Sequence, residues 1–208
     1  LLNQPEAPSF DLSSLRASRT SAAPLPAAVK GAFDLLVGHE VLVEGYGLTE
    51  TSPLTHANPI HRARAGSIGV PLPDTDARIV DAKDGTEVLP VGQVGELVLR
   101  GPQVMRGYWK NPEETGAAIR DGWLFTGDLA RMDEDGYFCI VDRKKDVINA
   151  AGFKVWPREV EEVLYQHHHI RAAAVVGVPD SYRGETVKAV VVLKEEHGFS
   201  SEEAAKEE

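Results

Sequence analysis

The 208-residue sequence predicts a mixed fold, α/β at its start and α+β at its end, in three sections. Residues 1–65 carry a helix and a short apolar strand of α/β character, 66–143 read as a small β-rich subdomain, and 144–208 as a compact α+β module. The prediction rests on three features. An amphipathic helix leads into a short apolar strand before Gly45, short strands alternate with Gly turns from Gly66 onward, and after Arg143 a helix is followed by two strands.

Residues 1–26 hold Pro5, Pro8, Pro24 and Pro26 around a Ser-rich middle and show little periodicity. Val29, Ala32, Phe33 and Leu36 then recur at three- and four-residue intervals, which predicts a helix over 27–37 stopped by Gly38. Val41-Leu42-Val43 predicts a short buried strand broken by Gly45 and Gly47. Segments 77–80, 94–100 and 137–141 predict strands, punctuated by Asp84-Gly85, Val91-Gly92 and Asp135-Gly136. Asn111-Pro112-Glu113-Glu114 opens a short helix, with Asn111 as cap, Pro112 at the first helical position and Glu114 reaching back to the cap backbone.

A second amphipathic helix is predicted over 157–166, with Val160, Val163 and Leu164 inward and Glu159, Glu161 and Glu162 outward. Strands over 172–178 and 187–193 complete the module. Ser200-Ser201-Glu202-Glu203 has the form of a capping box, and the helix it opens stops within about two turns, before an apolar face is complete. That end, together with a start that lacks Met, reads as truncation of a longer parent.

Hydrophobic residues make up 42% of the chain, enough for a real core, and the 26% charged residues are ordinary for a globular protein. A net charge of −10 argues against a nucleic-acid backbone as partner, because phosphate neutralisation needs clustered Lys and Arg. No apolar run approaches the ~18–20 residues of a membrane span. The single cysteine, Cys139, sits in an apolar Tyr137-Phe138-Cys139-Ile140-Val141 run and is expected to be a buried strand residue. One cysteine forms no internal disulfide, so a reducing, cytoplasmic location is expected.

Three segments carry chemistry. In Gly45-Tyr46-Gly47-Leu48-Thr49-Glu50-Thr51-Ser52-Pro53, two glycines allow close backbone approach, a Thr hydroxyl can donate to a phosphate oxygen, and a Glu can hold Mg²⁺. A strand-to-turn junction is the plainer reading of that segment. In Asp121-Gly122-Trp123-Leu124-Phe125-Thr126-Gly127-Asp128-Leu129, a carboxylate after a Gly turn suits two vicinal hydroxyls, as on a ribose, or else caps a surface turn. The charged run Asp142-Arg143-Lys144-Lys145-Asp146 ends one strand, and Gly152 and Pro157 bracket the next, as in a linker or hinge. His167-His168-His169 is not expected to bind metal, because consecutive residues point in different directions and no ligand partner lies at the right spacing. Glu195-Glu196 reads as a solvated strand end rather than a catalytic dyad.

Taken together, YGLTETSP (46–53), GELVLRGPQVMRGYWKNPEET (95–115), DGWLFTGDLA (121–130) and DRKKDVINAAGFKVWPREVEEVL (142–164) resemble successive core motifs of the adenylate-forming superfamily. The resemblance extends from about Arg16 onward, and the last motif is most similar to medium- and long-chain fatty acyl-CoA synthetases. It implies a partial acyl-CoA synthetase fold, with 1–65 the remnant of a large N-terminal α/β subdomain, 66–143 a β-barrel-like subdomain and 144–208 a truncated C-terminal lid domain. It also implies a fatty-acid–CoA ligase parent using ATP, Mg²⁺ and CoA through an acyl-adenylate, with AMP and pyrophosphate as by-products. An aryl or other carboxylic acid, or a non-catalytic nucleotide-binding fragment, are the alternatives.

By the same resemblance, Thr49 contacts phosphate, Glu50 is the Mg²⁺ ligand, and Gly45, Tyr46 and Gly47 line the adenine and acyl region. Asp128 binds ribose, Arg143 contacts the ribose side of the adenylate, Lys145 is the hinge, and Gly152 lies beside the pantetheine tunnel. Ala22 falls in the adenine-binding segment, where Ser21 replaces the usual Gly. No Gly/Ser/Thr-rich phosphate loop ending in Lys and no terminal catalytic Lys motif is present, so the 208 residues alone are expected to be inactive. A homo-oligomer and peripheral membrane association of the parent are compatible with the resemblance, and exposed sheet edges are expected to favour association.

Overall fold

The computed structural model describes residues 1–194 apart from residues 3 and 24. The capping box at Ser200 and the Glu195-Glu196 pair lie outside the described residues. In chain order the elements are β1 (Ser18–Thr20), α1 (Ala27–Val37), β2 (Leu42–Gly47), β3 (Leu54–Ala57), β4 (Val70–Pro71), β5 (Asp76–Val80) and β6 (Gly95–Arg100). Then come α2 (Pro112–Ala118), β7 (Ile119–Arg120), β8 (Trp123–Met132), β9 (Phe138–Arg143), β10 (Ile148–Ala150), β11 (Phe153–Val155), α3 (Pro157–Tyr165), β12 (Ile170–Asp180) and β13 (Gly184–Leu193). The chain divides into two compact units, the first ending at Lys145 and the second beginning at Asp146. Among the described residues no helix is long and apolar enough to cross a membrane.

The first unit is built on two sheets. One has the order β1-β2-β3-β4, with β1 parallel to β2 and the other pairs antiparallel. The other is antiparallel, in the order β5-β6-β8-β7 with β9 also on β8. Ile68 N donates to Phe138 O, and Phe138 N donates to Gly69 O, which stitches the approach to β4 onto β9. Alternating residues of the strands pack Ile79, Leu97, Leu99, Leu124, Ala130 and Phe138 into the main core.

Helix α1 ends as its sequence dictates, at Gly38 in the left-handed region (φ +89°). Its buried Asp34 accepts hydrogen bonds from the Val41 and Leu42 amides at 2.9 and 3.0 Å, tying the helix to the start of β2. Phe33, Val37, Val41 and Leu42 close a second small core around that tie. Asn111 caps α2 through its side chain, accepting from Glu114 N at 3.2 Å, with Pro112 at the first helical position.

Several elements depart from the periodicity. Strand β2 runs past Gly45 and ends at Gly47, because both glycines remain in the ladder with β3. Cys139 lies in β9 as expected but is only half-buried, since strand alternation turns neighbouring Phe138 into the core instead. On α3, Val163 is 66% exposed rather than inward, while Glu161 turns toward β12 and accepts from Val175 N at 2.8 Å. The second unit's sheet has the order β11-β10-β13-β12, dominated by the long β12–β13 hairpin.

His56 on β3 is fully buried, edge-on to Phe138 (ring centroids 4.8 Å apart) and to Tyr46 (5.9 Å). Its Nδ1 lies 3.0 Å from Thr55 Oγ1, and its Nε2 has no hydrogen-bond partner among the described residues. Burial pushes its pKa from 6.5 down to about 3. The folded protein therefore keeps a neutral ring over a range in which the unfolded chain takes up a proton. From this residue, stability should fall as pH drops from about 6.5 toward 3, by up to ~1.4 kcal/mol per pH unit. Urea unfolding from about pH 7.5 to 4 checks this, and His56→Phe should flatten that part of the profile. An unchanged slope would show that another group titrates.

Candidate functional site

Strands β1 and β2 run parallel, and their carboxyl ends open side by side, the position where α/β sheets place ligands. A cavity of about 920 Å³ lies there within the first unit. It is lined by Ser21, Ala22, Gly47, Leu48, Thr49, Glu50, Pro53, Leu54, Thr126, Gly127, Asp128, Arg143, Lys144 and Lys145.

One wall is the turn that follows β2. A Cβ on Gly47 would lie 1.6 Å from the Pro53 carbonyl oxygen, so only glycine lets the chain fold back at this point. Thr51, fully buried, accepts from the Leu48 amide at 3.0 Å and lies within hydrogen-bond distance of the Leu48 and Pro53 carbonyls. This closed turn presents Thr49 and Glu50 to the cavity. Glu50 Oε1 accepts from the Tyr108 hydroxyl at 2.9 Å, and Glu50 O accepts from Met105 N at 2.7 Å.

The opposite wall is a bulge in β8. Glu96 pairs with Leu129 and Val98 with Phe125, so Leu97 alone on β6 faces Thr126, Gly127 and Asp128 on β8. Side chains satisfy the backbone groups that the bulge frees. Thr126 Oγ1 donates to Leu97 O at 2.7 Å and accepts from Asp128 N at 3.1 Å, while Glu96 Oε1 accepts from Gly127 N at 3.1 Å.

Asp128, 6% exposed, faces Arg143 across the β8–β9 ladder, with Arg143 Nε 3.6 Å from its Oδ1. The Tyr46 hydroxyl donates to Asp128 Oδ2 at 2.5 Å. Burial, and then the charge of Asp128, pushes the Tyr46 phenol far above its ordinary pKa, so it stays protonated as a donor. The Arg143 side chain is 59% exposed and keeps its guanidinium available to the cavity. Lys144 Nζ donates to Glu96 Oε2 at 2.8 Å, and Lys144 N to Gly127 O at 2.8 Å. Arg143 and Lys145 stand as cations in the lining beside Glu50 and Asp128, while the Lys144 ammonium is engaged by Glu96. That arrangement favours an anionic ligand in contact with carboxylate-accepted hydroxyls.

Seven of the residues singled out from the sequence, Ala22, Gly47, Thr49, Glu50, Asp128, Arg143 and Lys145, lie together in this lining. Tyr46 stands behind the wall, on Asp128, and Gly45 packs against the Arg19 side chain. Lys145 is also the last residue of the first unit. Gly152 belongs to the second unit, where Ala151 (φ +52°) and Gly152 (φ +87°) form the two-residue turn joining β10 to β11. The sequence reading missed Glu96, Thr126, Lys144 and Tyr108. An acidic residue inside the apolar run Gly95-Glu96-Leu97-Val98-Leu99 was the available signal for Glu96. The rings of His167, His168 and His169 pack on one another. Among the described residues no group of three or more His, Cys, Asp or Glu side chains could hold a metal ion.

The family model for AMP-binding enzymes matches residues 1–109, and the model for their C-terminal domain matches residues 159–208. A long-chain-fatty-acid–CoA ligase of Bacillus subtilis is 54% identical over 98% of this chain, and a feruloyl-CoA synthase of Amycolatopsis is 46% identical over 88%. ATP-bound MatB from Rhodopseudomonas palustris superposes with a TM-score of 0.87 at 36% identity, over 96% of this chain and 39% of that one. The chain spans 36% of the length of the Bacillus subtilis ligase and 37% of the feruloyl-CoA synthase.

The close approach at Gly47 makes a stability prediction. Gly47→Ala should destabilise the protein by ~3 kcal/mol or more, because its Cβ meets backbone that cannot swing aside. Denaturant titration checks this, and a loss under ~1 kcal/mol would show that the turn relaxes freely.

Proposed function

The chain belongs to the AMP-binding enzyme family, and on that footing we propose that it supplies the nucleotide-facing strand ends of an ATP-dependent fatty acyl-CoA synthetase. The observation that carries this reading is the buried Asp128 carboxylate, held by Tyr46 and Arg143 at the edge of the strand-end cavity.

In the proposed reaction, a fatty carboxylate oxygen attacks the α-phosphorus of ATP. The bond from that phosphorus to the β-phosphate oxygen breaks, giving acyl-adenylate and pyrophosphate. The thiol of CoA then attacks the acyl carbon, the bond to the phosphate oxygen breaks, and AMP and a proton leave. Asp128 would accept hydrogen bonds from the two ribose hydroxyls, with Tyr46 fixing its orientation, and Arg143 would lie on the ribose side of the adenylate. The Thr49 hydroxyl would donate to a phosphate oxygen, and the backbone at Ala22 would border the adenine. Lys145 would act as hinge, and Gly152 would lie along the pantetheine path.

Glu50 is the one acidic side chain in the lining besides Asp128, and a single carboxylate completed by phosphate oxygens and waters is how Mg²⁺ is commonly held. Glu50 would hold that ion, which when bound offsets phosphate charge. The chain holds no Gly/Ser/Thr-rich phosphate loop ending in Lys, so no thioester formation is expected from the 208 residues alone.

Fatty acid as substrate is supported by relatives such as the Bacillus subtilis and Yersinia pestis long-chain-fatty-acid–CoA ligases, 54% and 48% identical. An aryl acid is a second reading, supported by the feruloyl-CoA synthase and by the structural likeness to an anthranilate CoA ligase (TM-score 0.85, 33% identity). The test is exchange of pyrophosphate into ATP by the full-length protein that carries these residues, with medium- and long-chain fatty acids and with ferulate. Exchange with fatty acids is expected. Exchange with ferulate alone would favour the second reading, and none with any acid would sink both. Asp128→Ala should raise the KM for ATP about 10- to 100-fold, since charge-assisted hydrogen bonds contribute about 1.5–3 kcal/mol each.

A further inference from the structure

Glu96 is a charged residue in the wrong place by composition. It lies in β6 between Gly95 and Leu97, in a strand where all but the last residue is buried, and is itself 4% exposed. A carboxylate in such a position is costly unless each oxygen finds a donor. Here both do. Oε1 accepts from the Gly127 amide at 3.1 Å, inside the bulge, and Oε2 accepts from Lys144 Nζ at 2.8 Å. Lys144 is bound a second time, its amide donating to Gly127 O at 2.8 Å.

The two groups that Glu96 holds flank the Asp128–Arg143 pair. Gly127 precedes Asp128 on β8, and Lys144 follows Arg143 at the end of β9. Gly127 sits at φ +73°, so its amide is turned out of the ordinary ladder direction and needs a partner other than a β6 carbonyl. We infer that Glu96 is a positioning residue: its carboxylate clamps the Gly127 turn and Lys144 together, and so sets the placement of Asp128 and Arg143 at the cavity. Glu96 is absent from the cavity lining, so its effect on a ligand passes through the lining groups it holds, Gly127 and Lys144, and through the Asp128 and Arg143 beside them.

This inference rests on the nucleotide reading of the cavity, and the test separates the two. Its structural arm needs no ligand. Amide hydrogen exchange at Gly127 should speed up about tenfold or more in Glu96→Ala and stay near wild type in Glu96→Gln, whose side-chain oxygen can still accept from that amide. Its functional arm is AMP and ATP affinity, measured by titration. Glu96→Ala should weaken binding about tenfold, Glu96→Gln should fall between it and wild type because its one oxygen keeps Gly127 and loses Lys144, and Glu96→Ala added to Asp128→Ala should cost almost nothing further.

A purely structural role for Glu96 would lower the melting temperature and leave nucleotide affinity unchanged, or would add in full to Asp128→Ala. Either result overturns the inference. Failure of the unmutated chain to bind nucleotide would sink the functional reading, while Gly127 exchange would still decide whether the clamp exists. If Glu96→Ala does not fold, Lys144→Met tests the other half of the clamp. It should speed amide exchange at Gly127, a readout that loss of the Lys144 charge from the lining does not itself move, and a wild-type exchange rate would overturn the inference.

Discussion

The Asp128 carboxylate is the group at which the two sheets of the first unit meet beside the cavity. It is buried, it takes a proton donor from Tyr46 on one sheet, and it faces Arg143 on the neighbouring strand of the other sheet. A buried carboxylate is stable only while such partners persist, so this one group requires the two sheets to meet at a fixed place. The Tyr46 phenol, kept protonated by burial and by the adjacent charge, donates to one of its oxygens and fixes the orientation of the carboxylate. The same contact that holds the sheets together is the contact that shapes the cavity.

That arrangement depends on a local irregularity. A regular β8 would pair every residue with β6, and Asp128 would be placed by the ladder alone. Three residues facing Leu97 release backbone groups, and Thr126 and Glu96 take them up with their side chains. The first unit uses the same device elsewhere. Asp34 holds the Val41 and Leu42 amides, and Asn58 spans the Glu44 and Ser67 carbonyls while accepting from Arg64 N. In each case a buried polar side chain does what a regular ladder would have done, at a point where the chain must turn.

Much of this was legible from residues whose local physics is strong. Gly38 ended a helix with a clear three-to-four periodicity, Asn111 and Pro112 announced the start of α2, and the ordered motifs brought Thr49, Glu50, Asp128 and Arg143 forward. What was not legible depends on partners distant in sequence. Gly45 looked like a strand breaker, but the ladder to β3 carries β2 through it as far as Gly47. Val163 matched the apolar stripe of α3, yet Glu161 is the residue drawn in, because Val175 N needs an acceptor. Glu96 reads as part of a strand, and the two donors on its oxygens, Gly127 N and Lys144 Nζ, lie 31 and 48 residues away in sequence.

The most direct measurement is an NMR titration of the 208-residue chain with AMP and, separately, with 2′,3′-dideoxy-AMP. If Asp128 recognises the ribose through its two hydroxyls, AMP should shift the Thr126, Gly127 and Asp128 amides and bind about tenfold or more tightly than the dideoxy analogue. Equal affinity for the two nucleotides, or shifts that leave the β8 bulge untouched, would contradict the assignment of this cavity to a nucleotide.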